Sequence, residues 1–232
     1  MIVKTIRAAI AATLITLPGS LWAQVESFNY LFDINLGVAK IGEMRVSADI
    51  NGSSYNTVGT LKSTGIAGAI YDVSYESRAQ GSFDHPWHFV PTRYSSVSNE
   101  NGEATTTAIN YTGNRVSGVT ITPPKNIPAS ATSETNTVDP MTLIYYLVRP
   151  VPAENVCGGS FDLFDGRTRM TVTYTNARRF NDGRIECAVA YTGKNSGVAL
   201  SSVTFRPGEN GMMYISRFSA GTAAGTLTAR RR

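Results

Sequence analysis

The sequence predicts a mainly β protein: a curved antiparallel sheet, an open or spiral β-barrel, wrapped around one buried α-helix. Three observations carry this expectation. Short runs of alternating apolar and polar residues recur at hairpin spacing along most of the chain. Asn51-Gly52, Asn101-Gly102, Asp165-Gly166 and Asp182-Gly183 separate such runs with residues that tolerate the positive φ of tight hairpins. One stretch, Val138–Val148, abandons the period of two and reads as a helix.

Within that stretch Asp139 suits the N-cap. Pro140 suits the first helical position, where a missing N–H costs nothing. Met141, Leu143, Ile144, Tyr145, Leu147 and Val148 cover most of the helix circumference, so the helix must be buried on most sides. It is too short to cross a bilayer, and the protein itself must surround it.

The chain in order gives the rest. Lys4 and Arg7, the apolar run Ala8–Leu17, and Leu21-Trp22-Ala23 form a secretory signal peptide. Cleavage is expected after Ala23, leaving residues 24–232 as a single β-rich domain in the periplasm. No cysteine stands near the cleavage point to take a lipid anchor, and no other stretch reads as a transmembrane span. Loss of Lys4 and Arg7 lowers the formal charge from +4 to +2, and Arg230, Arg231 and Arg232 supply three of the remaining positive charges. The body is therefore near neutral, which argues against nucleic-acid binding; the basic end reads as solvated and frayed.

Phe28, Tyr30, Phe32, Ile34 and Leu36 alternate with polar residues in a first strand, and Met44, Val46, Ala48 and Ile50 in a second. Tyr55–Leu61 follows Asn51-Gly52. Gly65–Ala69 reads as a loop or bend. Strands are expected over Ile70–Phe83, Phe89–Val97, Ala104–Tyr111 and Val116–Ile121. Thr122–Thr137, with Pro123, Pro124 and Pro128, reads as an exposed connection or a lid. After the helix, Ser160–Phe164 and Arg167–Tyr174 form a hairpin over Asp165-Gly166. Arg184–Tyr191, Leu200–Arg206, Met212–Ser219 and a short last strand within Gly221–Ala229 complete about a dozen strands.

Cys157 and Cys187 are the only cysteines, and in an exported chain they are read as one structural disulfide. Their spacing fits neither a Cys-x-x-Cys redox pair nor a zinc pattern. His85 and His88 lack the further ligands that a zinc site needs, so no metal or cofactor is expected. No nucleophile elbow and no phosphate-cradling glycine pattern is present, and no residue is assigned as catalytic. Asp165 lies near Asp162, Arg167 and Arg169. Its Asp-Gly reads as turn chemistry, with cross-strand pairing of Asp162 to Arg167 or Arg169. Aromatic side chains are the remaining candidates. Tyr30, Phe32, Tyr145 and Tyr146, with Phe28, Tyr71 and Tyr75 nearby, either line an apolar cavity between sheet and helix or fill a plain core.

The order Val138-Asp139-Pro140, an apolar helix, Cys157, Phe164-Asp165-Gly166-Arg167 and Cys187 is distinctive. With Gly65–Tyr75 and Pro91-Thr92-Arg93-Tyr94 upstream, it resembles the bacterial exported family named domain of unknown function 3108. The resemblance covers nearly the whole mature chain. It implies a periplasmic protein with no assigned activity. By analogy of shape with envelope proteins whose curved sheet clasps a helix, it implies the handling of lipids or lipoproteins, or support of the envelope. The leading expectation is a non-enzymatic protein of cell-envelope maintenance or of lipophilic-ligand binding. The alternatives are a scaffold for another envelope protein and, third, a hydrolase built near Asp162, Asp165 and His88.

Overall fold

The computed structural model describes residues 27–70, 72–85, 88–193, 199–222 and 225–232. The expected signal peptide with its cleavage at Ala23 lies outside the described residues, as do Tyr71, Pro86 and Trp87. The first half is a meander: β1 (Phe28–Leu36), β2 (Ala39–Asn51), β3 (Ser54–Ser63), a short helix α1 (Gly65–Ile70), β4 (Val73–His85), β5 (His88–Glu100), β6 (Glu103–Thr112) and β7 (Arg115–Thr122). Helix α2 (Pro140–Val148) and the two-residue β8 (Val151–Pro152) follow. The second meander is β9 (Ser160–Phe164), β10 (Arg169–Arg179), β11 (Ile185–Gly193), β12 (Ala199–Pro207), β13 (Met212–Thr222) and β14 (Gly225–Arg231).

Among the described residues these strands make one antiparallel sheet in the order β7-β6-β5-β4-β3-β2-β1-β14-β13-β12-β11-β10-β9, with β8 added to β13. The path is open rather than a closed barrel. Its centre is the pairing of the first strand with the last, Phe32 opposite Arg231 and Leu36 opposite Leu227. This corrects the expectation of a frayed basic end. Arg230 and Arg231 belong to β14, and the Arg232 amide donates to the Leu31 carbonyl at 2.9 Å. The tail residues are alternating partners in a ladder, so their backbone groups are satisfied where a free end would leave them to water.

Alternation sets the inner face. Phe32 and Ile34 on β1, Val46 and Ala48 on β2, and Tyr55 and Thr57 on β3 are buried. All but Thr57 join one hydrophobic core cluster with Met141, Leu143, Tyr145, Leu147 and Val148 of α2. The helix contacts β2, β3, β4, β5, β9 and β13. Gly59 permits the approach: a Cβ there would lie 2.6 Å from the Met141 sulfur, to which the Ser77 hydroxyl donates at 3.1 Å.

The expectations for three connections need correction. Gly65–Ile70 is helical, where Gly65–Ala69 is expected as a loop or bend and Ile70 as the start of a strand; that strand begins at Val73. The helix lies against β2 and β3, and the Gly68 amide donates to the Thr64 carbonyl at 3.3 Å. Six residues are too few to set up a 3.6-residue apolar period, so the sequence pattern does not announce a helix there. The β9–β10 connection is Asp165–Thr168 rather than Asp-Gly alone. The Asp165 carboxylate accepts from the Arg167 and Thr168 amides at 2.8 and 2.7 Å.

The third is the run Thr122–Thr137, whose end is a strap. The Val116 amide of β7 donates to the Glu134 carbonyl and the Asn136 amide to that of Asn114, at 2.9 and 2.7 Å. Two residues on, the Val138 amide donates to Asp162 and the Phe164 amide to Val138, at 2.8 and 2.9 Å. The segment therefore satisfies backbone groups on both outer strands of the open sheet, the groups that otherwise template aggregation. Arg169 fixes it, bridging Glu134 at 3.0 Å and Asp162 at 2.5 Å. Because these groups are partly solvated, Arg169→Ala is expected to cost only about 1 kcal/mol of global stability. Amide exchange at Val116, Asn136 and Val138 is expected to quicken well beyond that of β1–β3. Unchanged exchange at those three amides would show that the ion pairs do not hold the strap.

Candidate functional site

The site is built on α2. At its N-terminus Asp139 has extended backbone, and one carboxylate oxygen accepts from the Met141 and Thr142 amides at 2.9 and 2.8 Å. The sequence anticipates this cap. What it does not announce is that the carboxyl is wholly buried. Burial pushes its pKa up to about 6, against the pull of those amides and of the Thr142 hydroxyl. The second oxygen accepts from the Thr142 hydroxyl at 2.6 Å, and the Tyr55 hydroxyl lies 2.8 Å from that of Thr142. Thr142 has one proton to give. With the carboxylate taking it, Tyr55 donates to Thr142. The result is a directed chain, Tyr55 to Thr142 to Asp139.

Tyr55 is also the floor of an open cleft of about 440 Å³ between the β2–β3 hairpin tip and strands β4 and β5. Asn51, Asn56, Gln80 and Thr92 are among its walls. A Cβ at Gly81, on β4 opposite a bulge of β5 at Thr92, would lie 2.5 Å from the Tyr55 hydroxyl, so only glycine lets the tyrosine reach the helix.

At the other end of α2, Arg149 caps the helix with its amide donating to the Tyr145 carbonyl at 3.1 Å, where a cation suits the helix dipole. Its side chain is only 3% exposed, with the guanidinium 5.2 Å from the ring centres of both Phe89 and Tyr146. Burial lowers its pKa. Sequence reasoning missed Arg149 as a buried cation, because an arginine after an apolar helix reads as a solvated end.

The four aromatic candidates separate. Phe32 is fully buried against Phe218. Tyr30 is half-buried, with the Arg231 guanidinium 4.1 Å over its ring. Burial raises its pKa. Tyr145 and Tyr146 belong to a stack around α2: Tyr145 lies on Tyr55 at 5.1 Å and edge-on to Phe89, and Tyr146 lies at 4.1 Å on Phe161. Tyr146 donates to the Gly158 carbonyl at 2.7 Å. The Tyr145 and Tyr174 hydroxyls are buried with no hydrogen-bond partner among the described residues. A small cavity of about 10 Å³ lies beside Tyr146 and Tyr174, walled by Val151, Val156 and Cys157. Tyr75, the further aromatic candidate, lies 2.5 Å from the Tyr94 hydroxyl.

Cys157 and Cys187 are joined, the former in the loop after β8 and the latter on β11. The bridge holds that loop over Tyr146.

The three residues of the hydrolase alternative sit on two hairpins. Asp162 pairs with Arg169 and accepts from Thr171 at 2.6 Å, and Asp165 builds its turn. His88 faces Asp84 at 2.9 Å on the β4–β5 hairpin. Among the described residues no three His, Cys, Asp or Glu side chains gather as metal ligands. No described helix is long and apolar enough to cross a membrane.

A family model described as "Protein of unknown function (DUF3108)" matches residues 31–228, the family that the sequence motifs resemble. No curated protein matches the chain. Among solved structures, the chain is similar to a β-barrel-like protein of the domain of unknown function DUF1849 from Brucella abortus. The two are 12% identical with a TM-score of 0.53, over 90% of this chain and 96% of that one. That likeness concerns the fold alone.

Proposed function

We propose, from the premise that the chain belongs to the DUF3108 family of proteins of unknown function, a non-catalytic role in the cell envelope after export and cleavage near Ala23. The curved sheet wraps α2 and the two together receive a lipophilic ligand that carries one polar group. The observation that carries the reading is the pair of buried hydroxyls, Tyr145 and Tyr174, with no hydrogen-bond partner among the described residues in a region walled by rings and the buried Arg149 guanidinium. An unsatisfied buried hydroxyl costs about 1–3 kcal/mol, and a ligand head group in hydrogen-bonding range recovers it. The apolar body of the ligand replaces contacts among Tyr145, Tyr146 and their neighbours. The present cavity is too small for such a molecule, so entry moves the Ala153–Gly159 loop outward while the disulfide keeps it tethered. The non-catalytic part is supported by the engagement of the candidate acids in local structure: Asp139 caps α2, Asp162 pairs with Arg169, and Asp165 builds its turn.

Native mass spectrometry of protein purified from periplasm, with organic extraction, tests this. A stoichiometric apolar molecule is expected, and Tyr145→Phe with Tyr174→Phe is expected to reduce its occupancy. A clean mass for freshly isolated protein overturns the ligand reading. It redirects the search to the scaffold alternative, in which the envelope partner is a protein.

A further inference from the structure

The end of the sheet that carries the β1–β2 turn combines two features that the ligand reading does not use. The first is apolar exposure. Val38, in that turn, is fully exposed, and Ile70, the last residue of α1, is 79% exposed. The Thr64 amide donates to the Ile41 carbonyl, and α1 lies against β2 and β3. Both side chains therefore project from one end of the molecule.

The second feature is charge. Glu43, Asp33, Arg230 and Arg217 stand in register across β2, β1, β14 and β13, and so share one face. The two acids are matched by Lys40 and Arg232, with Lys40 2.8 Å from each and Arg232 2.6 Å from Asp33 and also paired with Glu43. Arg217 and Arg230 make no ion pair among the described residues. Arg230 lines a cleft of about 390 Å³ together with Asp33, Asn35, Thr228 and Val38 itself. The Asp33 carboxylate in this cleft is already held by Lys40 and Arg232, so Arg230 is its uncompensated charge, beside the exposed apolar Val38.

We propose that this end of the sheet docks on an anionic phospholipid bilayer. Val38 and Ile70 enter the boundary between headgroups and acyl chains, and Arg230 in its cleft, with Arg217 behind it, takes lipid phosphate. A bilayer accepts separate apolar knobs without shape matching and rewards adjacent cations. A protein partner would need a continuous complementary surface of about 1,000 Å² or more, which two knobs on turns do not offer. The inference rests on the envelope location proposed above, though not on the ligand beside α2.

Co-sedimentation of the purified protein with vesicles tests it. Binding is expected to vesicles containing phosphatidylglycerol, to fall in high salt, and to be weak on phosphatidylcholine alone. Val38→Ser with Ile70→Ser, and separately Arg217→Gln with Arg230→Gln, should each weaken binding about tenfold. The exposed pair is expected to leave the unfolding midpoint unchanged, which separates docking from folding. Absence of binding to phosphatidylglycerol vesicles, or binding that both double variants retain, overturns the proposal. Vesicle binding by protein with a clean native mass would uphold it and sink the internal ligand. An extracted ligand without vesicle binding would do the reverse.

Discussion

Asp139→Asn is expected to abolish a stability loss of about 3 kcal/mol that the native protein suffers between pH 4 and pH 7. The Asp139 carboxyl titrates near 6 in the folded protein because burial disfavours its charge, whereas an exposed aspartate titrates near 3.8. Between those values the folded state keeps a proton that the unfolded state has released. Stability from this group is therefore complete below pH 4 and is lost as the pH rises through 6. The two-unit gap at about 1.4 kcal/mol per unit sets the size. Asparagine keeps an oxygen for the Met141 and Thr142 amides, so the cap survives without the charge. Asp139→Ala loses the cap as well and is expected to cost about 1–2 kcal/mol even at pH 4. Urea unfolding at several pH values separates the cases. The native and asparagine profiles should converge at acid pH and part as the pH rises, with asparagine the more stable. Asp33, held at about 2 by Arg232 and Lys40, and Asp162, lowered against its burial by the Thr171 hydroxyl and Arg169, lie below this window and are common to both proteins. Parallel profiles would show that the buried carboxyl does not hold its proton.

The second large effect concerns the disulfide. Cys157→Ala with Cys187→Ala is expected to destabilise by about 3–4 kcal/mol, the loop-closure entropy of a bridge spanning 30 residues. The bridge ties the loop after β8 to β11, and that loop supplies the Gly158 carbonyl to Tyr146. Its loss should also loosen the cover of α2 and raise the reactivity of Tyr146 toward solvent probes. Urea midpoints of the alanine pair and of the reduced native protein should coincide. Mass before and after reduction of alkylated protein checks the bridge directly, and two alkylatable thiols in unreduced protein would disprove it.

Much of the candidate site was legible because its signals are local. Asp139-Pro140 followed by apolar residues specifies a cap and a buried helix within one turn of chain, and the helix forms at Pro140–Val148. Alternation placed Phe32 and Ile34 on the inner face, and Asp162 beside Arg169 was readable as a cross-strand pair. Tyr55 was readable only as a strand residue. Its reach to Thr142, 87 positions away, depends on Gly81 of the neighbouring strand β4.

The sequence by itself determined most of the elements: strand faces, the Asn-Gly turns, the α2 cap and the cysteine pair, though not α1 or the full β9–β10 turn. Each depends on residues a few positions apart, or, for the cysteines, on there being only two in the chain to pair. Only the tertiary structure decided which strands meet. It put β1 beside β14, made the basic tail a central strand, turned Glu134–Val138 into a strap across two sheet edges, and buried Arg149 among rings. The physical reason is that these outcomes rest on backbone groups and side chains brought together from distant positions. A backbone amide is the same donor at every residue, and an arginine has the same composition whether it meets water or an aromatic cage. What distinguishes the cases is the partner that folding delivers.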